Sequence, residues 1–71
     1  MPNQYPEWKV LRLTPMQKKI IPLVAEGLRD RFIAKRLKRS ENTIGVQLSI
    51  AMKRFGVHTR QELVNVTREY L

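Results

Sequence analysis

The chain has 71 residues, and its 14 Lys and Arg against 6 Asp and Glu leave a net charge of +8, which fits one small domain with a polyanionic partner, most often nucleic acid. There is no cysteine and a single histidine, His58, so disulfides and thiolate metal sites are excluded and neither a metal nor a cofactor is expected. No run approaches the ~18 apolar residues needed to span a bilayer, and the N-terminus lacks the basic-then-apolar layout of a signal peptide; the chain reads as soluble and cytoplasmic, without a membrane partner.

Residues 1–12 read as an N-terminal arm. Pro2 and Pro6 oppose a regular helix before Glu7. Tyr5, Trp8, Val10 and Leu11 are apolar enough to lie against the domain. Two roles stay open for the arm: Trp8 covers core surface, or the arm is an interaction patch.

The domain proper is read as 13–71. Thr14-Pro15-Met16-Gln17 has the capping-box spacing, with proline at the first helical position. Met16, Ile20, Leu23 and Val24 form the expected buried stripe, and Gly27 the stop. Pro22 falls inside this helix, where the lost hydrogen bond to the Lys18 carbonyl nominally costs about 3 kcal/mol. It lies on the polar face between Lys18 and Glu26, and a kink or an interruption is expected there.

Asp30 is expected to cap a short second helix, Arg31 to Lys38, burying Ile33, Ala34 and Leu37 and leaving Phe32 partly exposed. Residues 28–39, LRDRFIAKRLKR, hold six basic residues and one acidic. Ser40 then caps a third helix that Gly56 ends. The 15 residues between them make a helix of roughly 23 Å. Ile44, Leu48, Ala51, Met52 and Phe55 share its core face. Asn42, Val46, Ser49 and Lys53 fall opposite, with Thr43 and Ile50 beside them. The link between the second and third helices is so short that they must cross sharply, as in a helix-turn-helix.

Thr59-Arg60-Gln61-Glu62 is a second capping box, opening a helix from Arg60 to about Tyr70. Leu63, Val64, Val66, Tyr70 and Leu71 spread over roughly 160° of its wheel, wider than the ~100° stripe of an ordinary surface helix. One edge should pack inward and the other meet a partner. The fold class is all-α, a compact four-helix domain around a central helix-turn-helix. An enzyme is not expected, because no carboxylate pair, nucleophile–base set or phosphate-cradling glycine loop is present.

From Leu13 to Val64 the chain resembles the LuxR/GerE-type DNA-binding domain, also found at the C-terminus of NarL- and FixJ-like response regulators. The residues that carry the resemblance are Leu13-Thr14-Pro15, Val24-Ala25-Glu26-Gly27-Leu28, Ile33-Ala34, Leu37, Ser40, Thr43-Ile44, Leu48, Gly56-Val57, Arg60 and Glu62-Leu63-Val64. The resemblance implies four helices, sequence-selective binding to double-stranded DNA, and a fourth helix that commonly forms a homodimer contact. The length leaves no room for a receiver or autoinducer-binding domain, which resembles the stand-alone members of the family. This sequence departs from the pattern at Gly45, where relatives usually carry lysine, at Gln47, often histidine, and at Ser49, basic in some relatives. Lys18, Lys19 and Arg39 also depart from it.

On this reading the third helix enters the major groove. Asn42, Gly45, Val46, Gln47 and Ser49 are the expected base-facing positions, with Asn42 and Gln47 suited to adenine and Val46 to a thymine methyl. Arg31, Lys35, Thr43, Lys53 and Arg54 are the expected phosphate contacts. Leu63, Val66 and Tyr70 are expected at the dimer seam, with Leu63 turned more toward the core. The rival reading is a protein-binding regulatory module that grips a protein, such as part of the transcription machinery, through Val46 and Ile50.

Overall fold

The computed structural model describes residues 13–68; the arm with Trp8, and Tyr70 and Leu71 at the other end, lie outside the described residues. Four helices follow one another, α1 Pro15–Ala25, α2 Asp30–Leu37, α3 Glu41–Phe55 and α4 Arg60–Thr67. Helix α3 packs against all three others, and α1 also meets α2 and α4.

The helix starts follow the sequence closely. In α1 the Thr14 hydroxyl accepts from the Gln17 amide at 3.0 Å, and the Gln17 side chain accepts from the Thr14 amide at 2.9 Å. Ser40 accepts from the Thr43 amide at 3.1 Å to open α3. Thr59 does the same for Glu62 in α4. There the reciprocal arm is displaced by one residue, since the Glu62 carboxylate accepts from the His58 amide and from the Thr59 hydroxyl.

Three helices end in the same way. Leu28 donates its amide to the Leu23 carbonyl and Gly27 to that of Val24; Arg39 donates to Ala34 and Lys38 to Lys35; Val57 donates to Met52 and Gly56 to Lys53. Each is a Schellman turn, which satisfies carbonyls that the helix leaves free and needs one residue in a left-handed conformation. Gly27 (φ 90°) and Gly56 (φ 66°) take it without a Cβ penalty, whereas between α2 and α3 it falls to Lys38 (φ 58°).

Several expectations are corrected. Helix α1 continues through Pro22 to Ala25 without interruption; Pro22 is exposed, so water can reach the face on which the hydrogen bond is lost. The fully buried side chains of α1 are Gln17, Ile20, Ile21 and Leu23, while Met16 and Val24 are only half-buried. Helix α2 starts at Asp30, and the residue before it, Arg29, makes no side-chain cap. Asp30 is the first helical residue rather than the cap, and its carboxylate accepts from Arg60. Phe32 is exposed, as expected, and Leu37 and Met52 sit at the edge of the core rather than within it.

The core is a single cluster in which Ile20, Ile33, Ile44, Ala51 and Leu63 are completely buried, closed by Leu48 and Phe55. Two polar side chains join it. Thr67 is satisfied locally, its hydroxyl donating to the Leu63 carbonyl at 2.8 Å. Gln17 uses its oxygen in the cap of α1 and donates its amide to the Gln47 carbonyl at 3.4 Å. One glutamine thus ties the start of α1 to the middle of α3, fixing how α3 lies across the domain.

Candidate nucleic-acid interface

Helix α3 divides cleanly into two faces. Ile44, Leu48, Ala51 and Phe55 are buried, and Asn42, Val46, Ser49, Ile50, Lys53 and Arg54 are exposed. Val46 and Ile50 keep 46% and 45% of their surface in water, although each is an apolar residue on a helix whose other side is core. Lys53 and Arg54 close the exposed face at the C-terminal turn, where cations also complement the helix dipole. Arg31 and Lys35 on α2 are exposed as well. An exposed row of short polar and β-branched side chains, bordered by cations on two helices, can offer hydrogen bonds and methyl contact in its centre and charge neutralisation at its edges.

Other expected site residues are placed differently. Thr43 is half-buried, and its hydroxyl lies 2.9 Å from that of Ser40. Gln47 is half-buried, with its Oε1 enclosed and without a hydrogen-bond partner among the described residues, so that oxygen is not open to a ligand as the exposed side chains of Asn42, Val46 and Ser49 are. Leu63 is completely buried within the protomer core, so it is not available to a partner, and of the three seam residues only Val66 is both described and half-exposed.

Gly45 lies at the edge of the exposed face, and the chain around it explains little of its identity. Its φ is not positive, and a Cβ there would stand 3.8 Å from the Asp30 Oδ2, ordinary van der Waals contact. Among the described residues, no neighbouring backbone requires glycine at this position.

The pair that sequence reasoning missed is Asp30–Arg60. The Arg60 guanidinium grips both carboxylate oxygens, the Nη2–Oδ2 bond measuring 2.8 Å, and so joins the first turn of α2 to the first turn of α4. These hydrogen bonds hold the Arg60 pKa above its already high ordinary value, against the opposing effect of partial burial. The pair also lines the depression that runs past Gly45, Ser49 and Ile50, so it borders the exposed face of α3. Thirty residues separate the partners, and neither local pattern signals the contact.

Comparison with known proteins agrees with this geometry. Residues 11–67 match the model of the GerE family, described as bacterial regulatory proteins of the luxR family. The nitrate/nitrite response regulator protein NarL of Escherichia coli strain K12 is 36% identical over 56 residues, covering 79% of this chain and 26% of NarL. NarL of Escherichia coli O6:H1 matches to the same extent. The chain therefore spans about a quarter of the length of these relatives. No solved structure matches it. Four helices, a helix-turn-helix at α2–α3 and a family match over most of its length show that this chain belongs to the luxR family of bacterial regulatory proteins.

Proposed function

We propose that this domain, residues 13–71, regulates transcription by laying α3 in the major groove of duplex DNA, beside the bacterial chromosome in the cytoplasm. The observation that carries the proposal is the exposed α3 face, with Val46 and Ile50 between Asn42 and Ser49 on one side and basic residues at its margins. The ~12 Å major groove takes one helix, and its base edges present both hydrogen-bonding groups and thymine methyls. On this reading Asn42 and Ser49 supply hydrogen bonds and Val46 the methyl contact. Arg31, Lys35, Lys53 and Arg54 neutralise phosphates, with the Thr43 hydroxyl at the helix start. NarL, a response regulator, is the relative that favours a regulatory role.

The test is electrostatic. Each neutralised phosphate should contribute about −0.9 to the slope of log K against log salt. Four such contacts predict a slope of roughly −3 to −4 per protomer, measured on a fixed duplex. A slope near zero removes DNA from the reading and leaves a protein held through Val46 and Ile50 as the alternative.

Dimerisation is part of the same proposal. Val66 is half-buried on α4 near the end of the described chain, and Tyr70, the other expected seam residue, lies outside the described residues. A two-fold pair would read half-sites about one helical turn apart. Val66→Asp should weaken binding to a duplex with two half-sites by about ten-fold or more, with the monomer still folded. Undiminished binding by the mutant would remove this seam.

A further inference from the structure

Besides Val46 and Ile50, one large apolar side chain is exposed among the described residues, Phe32 on α2, at 47%. It stands between two depressions. Leu28, Arg29 and Arg36 line the first, Arg31 and Arg39 line the second, and Phe32 and Lys35 belong to both. Each depression has one acidic residue at its edge, Glu26 in the first and Glu41 in the second. The Arg31 guanidinium lies over the Phe32 ring, 4.9 Å from its centroid, a cation–π contact that holds the ring in place. The first depression shares no lining residue with the one along α3.

We propose that this Phe32 ridge is a docking surface for an acidic protein segment that carries an apolar side chain. An exposed aromatic ringed by arginines is the usual composition of an interface anchor. The charge selects an acidic partner, and the apolar surface of Phe32 and Leu28 selects one with a hydrophobic residue among its carboxylates. Phosphates alone satisfy the cations but gain nothing from a phenyl ring. An unpaired base would stack on it, but Arg31 already occupies one ring face. Arg31 and Lys35 also belong to the proposed phosphate contacts, but Leu28, Arg29, Phe32 and Arg36 take no part in them, so the domain can hold DNA and a partner seated on the first depression together. A single anchor and a small area make the contact weak and reversible.

The inference is tested with the full chain and a synthetic peptide of alternating acidic residues and leucines, followed by heteronuclear NMR. The peptide should shift the amides of residues 27–36 whether or not duplex is bound. Phe32→Ser should weaken peptide binding by about ten-fold without changing duplex affinity, and Arg36→Glu should act in the same direction. A peptide with serines in place of leucines, or amides in place of carboxylates, should bind correspondingly less. The proposal is overturned by any of four results: shifts confined to α3, displacement of the peptide by duplex, unchanged binding by Phe32→Ser, or no binding at millimolar peptide. Tighter occupation of the same residues by an oligothymidine strand would also overturn it, in favour of unpaired nucleic acid. Duplex binding is measured separately throughout, so loss of the peptide contact does not bear on the major-groove reading.

Discussion

Ile44 and Ile50 lie on the same helix, fewer than two turns apart, and have opposite fates. Ile44 has no exposed surface and Ile50 retains 45% of its own. The same contrast separates Phe55, which is 2% exposed, from Val46, at 46%. A buried isoleucine or phenylalanine contributes about 1.5–3 kcal/mol relative to its exposed form. The outer residues keep nearly half of their surface in water and forgo a corresponding share of that gain, so they contribute less to the fold of the isolated chain. Helix α3 therefore has one face that holds the domain together and one face that can be changed without unfolding it. Scattered apolar side chains on a surface are ordinary. Two β-branched ones together on the outer side of α3, between polar and basic neighbours, are what the major-groove proposal requires of that face.

The largest expected effect breaks the inner face. Phe55→Ala should cost about 3–5 kcal/mol, from lost transfer free energy and the cavity left behind. A domain of this size has about 5 kcal/mol to lose, so at most about 2 kcal/mol should remain, and thermal or urea unfolding should show a midpoint lowered to near room temperature or to very little denaturant. A midpoint close to that of the parent would mean that Phe55 is not the anchor its burial indicates.

The outer face should respond in the opposite way. Val46→Ser is expected to shift stability by no more than about 0.5 kcal/mol, as at other surface positions. Its binding to a selected duplex should fall by about ten-fold, the equivalent of one lost base-edge contact. Denaturation and fluorescence anisotropy on the same sample separate the two readouts. If stability falls as far as affinity, the division between the faces is less sharp than their exposure suggests.

The smallest effect sharpens the boundary between the faces, at Gly45. Alanine replaces a residue that costs a helix interior up to about 1 kcal/mol, and its Cβ would meet only the Asp30 carboxylate at ordinary contact distance. Gly45→Ala should therefore raise stability by about 0.5–1 kcal/mol. If it also abolishes specific DNA binding while the fold persists, glycine serves the close approach of a DNA strand. If binding is unchanged, this position carries no readout.

Local chemistry determined much of this protein from the sequence alone. Thr14, Ser40 and Thr59 start helices because a side-chain oxygen in reach of a free amide needs only the next three residues to be in place. Gly27 and Gly56 end helices because a left-handed residue is least costly without a Cβ. The two faces of α3 follow from the 3.6-residue period, and the family was legible because its residues keep their order and spacing over most of the chain. Tertiary structure decided what depends on partners distant in sequence. Asp30 looks like a cap, but in the fold it is the first helical residue, and Arg60, thirty positions later, grips its carboxylate with a bidentate fork. Gln17 looks like a surface residue of a capping box until α3 crosses it and the Gln47 carbonyl gives its amide a buried partner. Gln47 itself looks like a reader of bases until the packing of α3 encloses its side-chain oxygen. For Asp30 and Gln17 the folded arrangement selects one partner among several, whereas for Gln47 it removes water from the oxygen without supplying a partner among the described residues.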